Sequence, residues 1–528
     1  MLAALLAFAA CKHDAIVEEP DRLKTVTVLG SEVVLPREGN GEMTFRIRDD
    51  GAVFNYDVLS PDCQVRLRLA SGGESENFRL AGVHPNGEPG LYTAVIADNG
   101  EVDEYSEKVC ITIVQHGAGG SESYIASGYF NVRNEAAGYS VIIKTGLPVV
   151  YIDTENGRPV NSKTTEVPGI LQIKGEGGYK GHAAVNCTIR GRGNTTWQWP
   201  KKPYLVKLES RTSLLGMPEH KRWVLLANFM DRTLMRNLVS MKVASMTSLD
   251  WTPRCVPVEL VLNGKHVGSY LLIEQVRVDE NRVNISEEEG FLLESDFHYD
   301  NKVQWIDYHG SSAVAGGGIP FGIKNPDPDV VTSAQKAYIK QYISDTANAL
   351  WSSDFADPEK GYAAWIDVDS FIDYWIVFEV MGNHELGNPG SVFFHKDVGG
   401  KLVAGPCWDF DWGVLSYNTS PHARTGLVNR NAHWYRRLFD DPAFRSRVRV
   451  RFKELRPQFE TIPAYMDECE KLLTESATLN FSMWNPAEDA SMNGGRIING
   501  DENMSFHDAV ARLKNNFQER LDVIEKNL

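Results

Sequence analysis

Two aspartates separated by a single residue carry the strongest chemical signal in this sequence. Asp409 and Asp411 alternate with aromatic residues in the segment GPCWDFDWG (405–413), which follows an apolar stretch. At the end of a strand, this spacing sends both side chains to the same side, because strand side chains repeat with period two. Two carboxylates beside buried rings suit Mg²⁺ and the phosphates that it carries. A structural turn, with the carboxylates bound to nearby backbone N–H groups, explains the segment equally well.

A glycine-rich turn earlier in the chain is a second candidate for binding an anion. It follows a strand-like run at 184–189 and consists of Arg190, Gly191, Arg192, Gly193 and Asn194. Glycines let backbone N–H groups approach an anion closely, and arginines supply positive charge. The pattern predicts a phosphate-binding turn, and a plain hairpin with solvated arginines is the structural alternative.

Lys207 and Glu274 are candidates for orienting a phosphate that is bound at this turn. Lys207 lies in an alternating apolar strand after the turn, and Glu274 ends the run YLLIE (270–274). A lysine directed inward can neutralise a phosphate and pair with a carboxylate from a neighbouring element. The structural alternatives are a lysine that reaches solvent and an ordinary charge at a strand end.

Glu385 and Asn388 follow an apolar segment at 371–381, which is predicted to be a buried helix. Metal-supported phosphoryl transfer needs a carboxylate near the attacking hydroxyl and an amide or carboxylate on the metal. The sequence therefore predicts Glu385 as a catalytic residue and Asn388 as a metal ligand, with a simple helix C-terminus at 382–383 as the alternative. His384 is predicted to be a loop histidine, because no second histidine lies at zinc-ligand spacing.

Size and composition limit the possible classes of protein. The 528 residues are too many for one ordinary core and predict two or more domains. The formal net charge is −16 and no long basic run is present, which argues against a nucleic-acid-binding protein. The seven cysteines include no C-x-x-C pair, so we predict buried free thiols and no structural zinc site; spacing alone leaves a Cys63–Cys110 pair open.

The N-terminus has the character of an export signal. Its first ten residues, MLAALLAFAA, are apolar and small, and Cys11 follows directly. They are too few to span a bilayer, but they match the end of a secretory apolar region before a small-residue cleavage site. A cysteine there resembles the lipobox of bacterial lipoproteins. We therefore predict a lipoprotein signal and tether at 1–23, with a lipid anchor at Cys11 in the bacterial outer membrane or at the cell surface. A ragged N-terminus is the alternative.

The remaining chain is predicted to contain two structural regions. Residues 24–133 hold short alternating runs separated by turn signals such as DDG (49–51), which is typical of an immunoglobulin-like β-sandwich. Residues 139–528 hold strands first and mostly helices afterwards, which predicts an α+β domain with two lobes. Within it, Asn263-Gly264 between two apolar runs predicts a type I′ hairpin. The predicted helix N-caps are Asp231, Asp369 or Ser370, and Ser505.

The order of these segments is similar to that of a known family. The segments are RGRGNTTWQWPKKPYLVKL, VELVLNGKHVGSYLLIEQ, GFLLESD, PFGIKNPD and GPCWDFDWG. Together they resemble the CotH family of spore-coat-type secreted kinases, over about residues 139–528. The resemblance implies an atypical protein-kinase-like fold that binds ATP and Mg²⁺ and phosphorylates exported proteins on serine or threonine. It places the glycine-rich turn at 191–195, the strand lysine at Lys207, and the metal-binding acidic turn at Asp409 and Asp411, with Asp411-Trp412-Gly413 where other kinases have D-F-G.

One departure from this family concerns Glu385, where the family pattern has an aspartate. The extra methylene displaces the carboxylate unless the loop is set back to match. The leading hypothesis is an exported CotH-like protein kinase with a serine- or threonine-containing protein as substrate. The alternative is a non-catalytic surface lipoprotein that binds glycan or protein, which the predicted β-sandwich, the segment WQW (197–199) and Glu385 suggest. Metal-dependent hydrolysis is a third hypothesis, which the lack of histidine-ligand spacing disfavours.

Overall fold

The computed structural model describes residues 24–36, 40–49, 51–99, 105–134, 141–298, 301–308, 318–418, 421–487 and 499–528. The predicted signal and tether at 1–23, with Cys11, lies outside the described residues. The chain divides into two compact units: residues 1–140 with 180–183, and residues 141–179 with 184–528. Helices and strands are both abundant, so the predicted mixed α+β class is confirmed.

The first unit is a connected nine-stranded sheet. Its strands are β1 (Lys24–Val28), β2 (Glu32–Leu35), β3 (Asn40–Asp49), β4 (Ala52–Val53), β5 (Cys63–Leu69), β6 (Phe78–Pro85), β7 (Leu91–Asp98), β8 (Ser106–His116) and β9 (Glu122–Asn134). The spatial order is β5-β8-β9-β1-β3-β7-β6, with β2 on β9 and β4 on β3. Alternation positions the core: Met43, Phe45 and Ile47 of β3 are buried, whereas the residues between them are more exposed. An immunoglobulin-like arrangement of this sheet stays a prediction.

Seven strands of the second unit close into a barrel. They are β10 (Val149–Thr154), β11 (Val167–Lys174), β12 (His182–Gly191), β13 (Tyr204–Thr212), β14 (His220–Leu226), β15 (Cys255–Leu262) and β16 (Lys265–Glu274). Alternate residues of the wall, such as Val206, Trp223 and Leu272, form one buried cluster. The residues between them, such as Leu205 and Val224, belong to a second buried cluster, which includes the helices and which we call the outer cluster. The barrel wall is therefore covered on both faces.

The rest of the second unit combines a five-stranded sheet with the helices. The sheet runs β18-β19-β17-β20-β21. Its strands are β17 (Phe291–Ser295), β18 (Gln304–Asp307), β19 (Ile319–Asn325), β20 (Val392–Lys396) and β21 (Val403–Ala404). The helices are α1 (Arg236–Ala244), α2 (Ser333–Trp351), α3 (Val368–Val380), α4 (Tyr435–Leu438), α5 (Pro442–Phe459), α6 (Ile462–Met483) and α7 (Phe506–Asn527). None of the helices in the described part of the chain meets the length and apolarity of a membrane span.

The local signals of the sequence hold in part. Asn263 and Gly264 have φ values of 50° and 70°, as a type I′ hairpin requires, and Ser505 accepts the N–H of Asp508 at the start of α7. The cap of α3 is Asp367 and not Asp369 or Ser370. Asp231 does not cap α1, because Met235 holds that position. The described cysteines, Cys63 and Cys110 among them, are free thiols.

A buried ion pair joins the end of α3 to α7. Glu379 and Arg520 are fully buried and their side chains form an ion pair. The Glu379 carboxylate also accepts the N–H groups of Val428 and Asn429, at 2.6 and 2.8 Å. The Arg520 guanidinium donates further bonds to the carbonyl oxygens of residues 379, 423 and 426. The pair therefore fixes the point at which the chain leaves α3.

Replacing Arg520 by alanine is expected to lower the free energy of unfolding by about 3–5 kcal/mol, because Glu379 is left as a buried charge without compensation. The urea midpoint of the second unit measures this loss. Arg447→Ala is the matched control: its ion pair with Asp369 is exposed, and the expected loss is at most about 1 kcal/mol. Equal midpoints for both variants would contradict the structural role of the buried pair.

Candidate active site

A cleft of about 630 Å³ within the second unit brings most of the predicted site residues together. A volume of this size is typical of a small-molecule site. The glycine turn contributes Arg190, Arg192, Gly193 and Asn194; the loop after α3 contributes Glu385 and Asn388; and the segment after β21 contributes Asp409 and Asp411. The two ends of the sequence-predicted site, about two hundred residues apart in the chain, thus face one cavity.

Gly191 and Gly193 shape the glycine turn for different reasons. Gly193 has a φ of +86°, a value that residues with a side chain rarely adopt. A Cβ on Gly191 would lie 2.3 Å from ring atoms of Trp197, so the ring packs directly on the backbone. The Arg190 guanidinium donates to the carbonyl oxygen of Lys163 at 2.5 Å, which ties the start of the turn to the neighbouring loop. The turn is therefore held in place from both sides.

The acidic segment 405–411 is not a strand end, which corrects the premise on which its chemistry was predicted. β21 ends at Ala404, and the following residues have no regular structure. Asp409 has a φ of +65°, a backbone conformation that is costly for a residue with a side chain and that clusters at functional sites. Asp409 and Asp411 both line the cleft. The two side chains therefore reach the same cleft from an irregular segment with a left-handed residue, and not through the two-residue period of a strand.

Two buried asparagines hold the acidic segment from behind. Asn237 of α1 accepts the N–H of Phe410 at 2.8 Å. Asn499 accepts the N–H of Gly413 at 2.9 Å and donates to the carbonyl oxygens of Met230 and Asp411, at 2.9 and 3.3 Å. Both asparagines are at most 1% exposed. Because amide groups carry no net charge, they fix the backbone without changing the charge of the cleft.

A buried arginine lies beside this segment. Arg236 forms ion pairs with Asp231 and with Asp501, and its Nε donates to the carbonyl oxygen of Val414 at 2.9 Å. All three charged side chains are at most 2% exposed. Asp231, predicted as a helix cap, thus serves as one carboxylate of this buried triad. Sequence reasoning gave no role to Arg236 or Asp501, because their separation of 265 residues conceals the contact.

Glu385 is held by its backbone while one carboxylate oxygen has no protein partner. Its N–H donates to the Asn383 side chain at 2.8 Å, and the Asn383 carbonyl oxygen accepts from Asn429 at 2.7 Å. Within the described residues, Oε2 of Glu385 is buried and makes no hydrogen bond. A buried acceptor without a donor is costly unless a ligand or ion completes it.

The carboxylates of the cleft perturb one another. Burial raises the pKa of Glu385 well above its usual range, and the charges of Asp409, Asp411 and Asp296 raise it further. Burial and Asp409 likewise raise the pKa of Asp411, with Arg192 opposing them. The pKa of Asp409 is raised chiefly by burial, against the effect of Arg192. The site therefore concentrates negative charge beyond what its own cations neutralise.

Sequence reasoning assigned no role to five charged or aromatic residues that also line the cleft. Glu294 at the end of β17 pairs with Lys324 of β19 at 2.9 Å, and Asp296 accepts from the His298 ring at 2.8 Å. Phe297 is 48% exposed at the cleft and stacks on His298, with ring centroids 4.2 Å apart. The segments GFLLESD and PFGIKNPD, which carried part of the family resemblance, supply Glu294, Asp296 and Lys324.

Lys207 and Glu274 do not form the predicted pair. Lys207 lies on the same wall face as Leu205, which belongs to the outer cluster, whereas Glu274 has the parity of the inward-facing Leu272. Glu274 instead accepts the N–H of Arg254 at 2.8 Å and pairs with its guanidinium. Gln275 and Leu205, not Glu274 and Lys207, line the cleft. The prediction of a Lys207–Glu274 pair is therefore wrong, because the two side chains belong to opposite faces of the barrel wall.

The tryptophans after the glycine turn also differ from expectation. Trp199 is 3% exposed and stacks on Trp412, with ring centroids 6.0 Å apart and planes within 7°. Trp197 is half-buried against Gly191. The segment 197–199 is therefore not an exposed aromatic surface. Through Trp199 and Trp412 it joins the glycine turn to the acidic segment.

The residues present fit a magnesium ion that is bound together with phosphates. Among the described residues, no group of three or more His, Cys, Asp or Glu side chains is arranged to hold a metal by itself. Mg²⁺ usually keeps several waters and binds through one or two carboxylates and the substrate phosphates. Asp409, Asp411 and the Asn388 amide offer oxygen donors, and the unpartnered oxygen of Glu385 lies among mutually repelling carboxylates.

The charge of Asp411 gives a testable dependence of stability on pH. A carboxyl group whose pKa is raised on folding destabilises the fold once the pH exceeds its unfolded-state pKa of about 4. Asp411→Asn is therefore expected to raise the melting temperature of the metal-free protein at pH 8, by about 2 °C or 1 kcal/mol, and to have little effect near pH 4. Asp153→Asn, an exposed aspartate on β10, is the control. A lower melting temperature at pH 8 for Asp411→Asn would contradict the excess of negative charge.

Comparison with known proteins gives one finding on the family. The family model described as CotH kinase protein matches residues 189–524. A search of curated proteins finds no match. The matched span begins in β12, directly before the glycine turn, and ends in α7, so it includes Glu385, Asp409 and Asp411. Since the match covers more than half of the 528 residues, the chain belongs to the CotH kinase protein family.

Proposed function

We propose that this chain is an exported protein kinase that transfers the γ-phosphoryl group of ATP to serine or threonine of a surface or secreted protein. The family match supports a kinase-like function. The observation that carries the proposal is that the glycine turn, Glu385 and the two aspartates of the acidic segment line one cleft. In this proposal, the barrel and the helical part of the second unit correspond to the two lobes of a kinase-like fold, and the first unit is an immunoglobulin-like module.

The proposed roles follow from position and charge. Gly193, Asn194 and Arg192 lie where they can hold phosphate oxygens through backbone N–H groups and a guanidinium. Asp409, Asp411 and Asn388 would hold Mg²⁺, which supplies neutralisation of the phosphate charge when it is bound. Glu385 would take the proton of the acceptor hydroxyl. The hydroxyl oxygen would then bond to the γ-phosphorus while the bond between that phosphorus and the ADP oxygen breaks. The transfer releases ADP and a phosphorylated side chain.

The proposal includes a location and a partner class. A lipid anchor at Cys11 would hold the protein at the bacterial outer membrane or the cell surface, and its acceptor would be an exported protein. The alternative function, a non-catalytic surface lipoprotein that binds glycan or protein, drew on the predicted β-sandwich, on an exposed aromatic segment at 197–199 and on Glu385. The burial of Trp199 removes the aromatic part of that support, so the alternative becomes an outcome of the binding test below.

Nucleotide binding is the first test. At a concentration one hundred times its Kd, Mg²⁺–ATP is expected to stabilise the folded protein by about 2.7 kcal/mol. Asp411→Ala is expected to abolish the rise in melting temperature, whereas the exposed Asp153→Asn keeps it. An unchanged melting temperature of the wild-type chain with Mg²⁺–ATP, together with a rise on addition of a polysaccharide, would favour the glycan-binding alternative.

Phosphoryl transfer is the second test. With γ-labelled ATP and a serine-rich acceptor protein, Glu385→Gln is expected to lower turnover by about 10²- to 10⁴-fold, because the acceptor loses its general base. The same variant is expected to keep the rise in melting temperature with Mg²⁺–ATP. Equal labelling by wild type, Glu385→Gln and Asp411→Ala would contradict the enzymatic proposal and leave a nucleotide-binding protein.

A further inference from the structure

The outer face of the barrel carries positive charges that the proposed reaction does not use. Lys207 on β13 and Arg222 on β14 lie directly opposite each other in the antiparallel register. Both lie on the wall face of Leu205 and Val224, which are buried in the outer cluster. Arg277, just after β16, is close enough to Arg222 for the two positive charges to repel each other. We call Lys207, Arg222 and Arg277 the basic row.

The surroundings do not neutralise the basic row. No ion pair or hydrogen bond joins the side chains of Lys207, Arg222 or Arg277 to another described residue. All three are half-buried, and like charges directly opposite each other destabilise a sheet. The carboxylate that acts on Arg277 is Asp327, and its effect is outweighed by burial and by Arg222, which lower the pKa of Arg277. In a chain of net charge −16, such a set of uncompensated cations indicates a place for an external anion.

The basic row continues the cationic side of the cleft. Arg190, which lines the cleft, is near enough to Arg222 for the two charges to interact. The carboxylate that faces Arg190 is Glu166, which also accepts the hydroxyl of Thr188 at 2.9 Å. Gln275, two residues before Arg277, also lines the cleft, and in the described part of the chain its buried Oε1 has no hydrogen-bond partner. Arg190 and Gln275 therefore connect the lining of the cleft with the row.

The position of the row favours a ligand longer than a nucleotide. Arg190 and Gln275 belong to the cleft lining, but the basic row lies beyond it on the barrel wall. A nucleotide with its phosphates at Arg192, Asp409 and Asp411 would occupy the cleft, and the row lies outside the lining of that cleft. An extended polypeptide that brings a hydroxyl to Glu385 is long enough to reach both places, since each residue of an extended chain spans about 3.3 Å.

We propose that the basic row docks acidic side chains of an extended acceptor segment, and this inference rests on the proposed kinase function. The segment is recognised by oxyanions near its serine or threonine. Carboxylates of aspartate and glutamate, and the phosphate of a residue already phosphorylated, share this chemistry and bind arginine and lysine through charge-assisted hydrogen bonds. The kinase would therefore prefer acceptors with acidic sequence around the modified hydroxyl.

The test compares three fluorescent peptides that share one serine and differ only in their flanks: glutamate-rich, glutamine-rich, or with neighbouring phosphoserines. Fluorescence anisotropy without nucleotide measures binding, and wild type is expected to bind the two anionic peptides about tenfold more tightly than the neutral one. The kcat/KM values for phosphoryl transfer are expected to show the same preference. The double variant Lys207→Gln with Arg222→Gln is expected to lose this preference. Lys221→Gln, which removes one charge from an exposed neighbour on the same strand, is expected to keep it.

Each outcome bears on the inference separately from the kinase function. Because Lys207 and Arg222 oppose each other without partners, the double variant is expected to fold with an undiminished melting temperature. Transfer that is equal for all three peptides would overturn the docking inference and leave the kinase function standing. Loss of the Mg²⁺–ATP melting shift in the double variant would also overturn it, since the row would then belong to the nucleotide site. An anionic preference in binding that needs Lys207 and Arg222, without any transfer, would support docking and contradict the kinase function.

Discussion

The concentration of carboxylates in one partly enclosed cleft is the constraint on which the rest of the second unit depends. Glu385, Asp409 and Asp411 repel one another, and their enclosure adds a desolvation cost. Such an arrangement persists only where the surrounding structure holds the backbone firmly. Here neutral amides provide much of that support: Asn237 and Asn499 fix the acidic segment, and Asn383 fixes Glu385. These amides hold the carboxyl groups together without neutralising them, and compensation of their charge is left to a ligand.

Two buried arginines extend this support to distant parts of the chain. Arg236 joins α1 to Asp501, and Arg520 of α7 joins the end of α3, so the C-terminal segment supports from behind a site that earlier residues line. A buried ion pair contributes little net stability compared with apolar packing, but removing one partner is very costly. The two buried arginines are better explained by the positions that they fix than by net stability, because each guanidinium donates hydrogen bonds to several groups in fixed directions.

The sequence predicted the local features whose causes are local. Asn263-Gly264 forms the expected hairpin turn because both residues tolerate positive φ, and Ser505 caps α7 because its hydroxyl reaches the N–H of Asp508. The grouping of Glu385 with the acidic segment followed from the family resemblance and from residue chemistry. The features that the sequence did not predict depend on strand pairing and long-range contacts. Lys207 and Glu274 do not pair because their side chains belong to opposite faces of the barrel wall. The Lys324–Glu294 ion pair depends on the pairing of β17 with β19.

The charges of the cleft are divided between its two sides, and this division limits what can bind. The barrel side and the loop beside it supply Lys163, Arg190 and Arg192, whereas the opposite side supplies most of the carboxylates, with Lys324 paired to one of them. A simple anion would be attracted by the first side and repelled by the second, and a simple cation would behave in the opposite way. A phosphate chain that carries a divalent cation satisfies both sides at once. Its oxygens would bind the guanidinium groups, and Asp409 and Asp411 would hold its metal. The first side is built on the barrel, whereas the second combines the end of β17 with the loops after α3 and β21, so each depends on the other for a complete site.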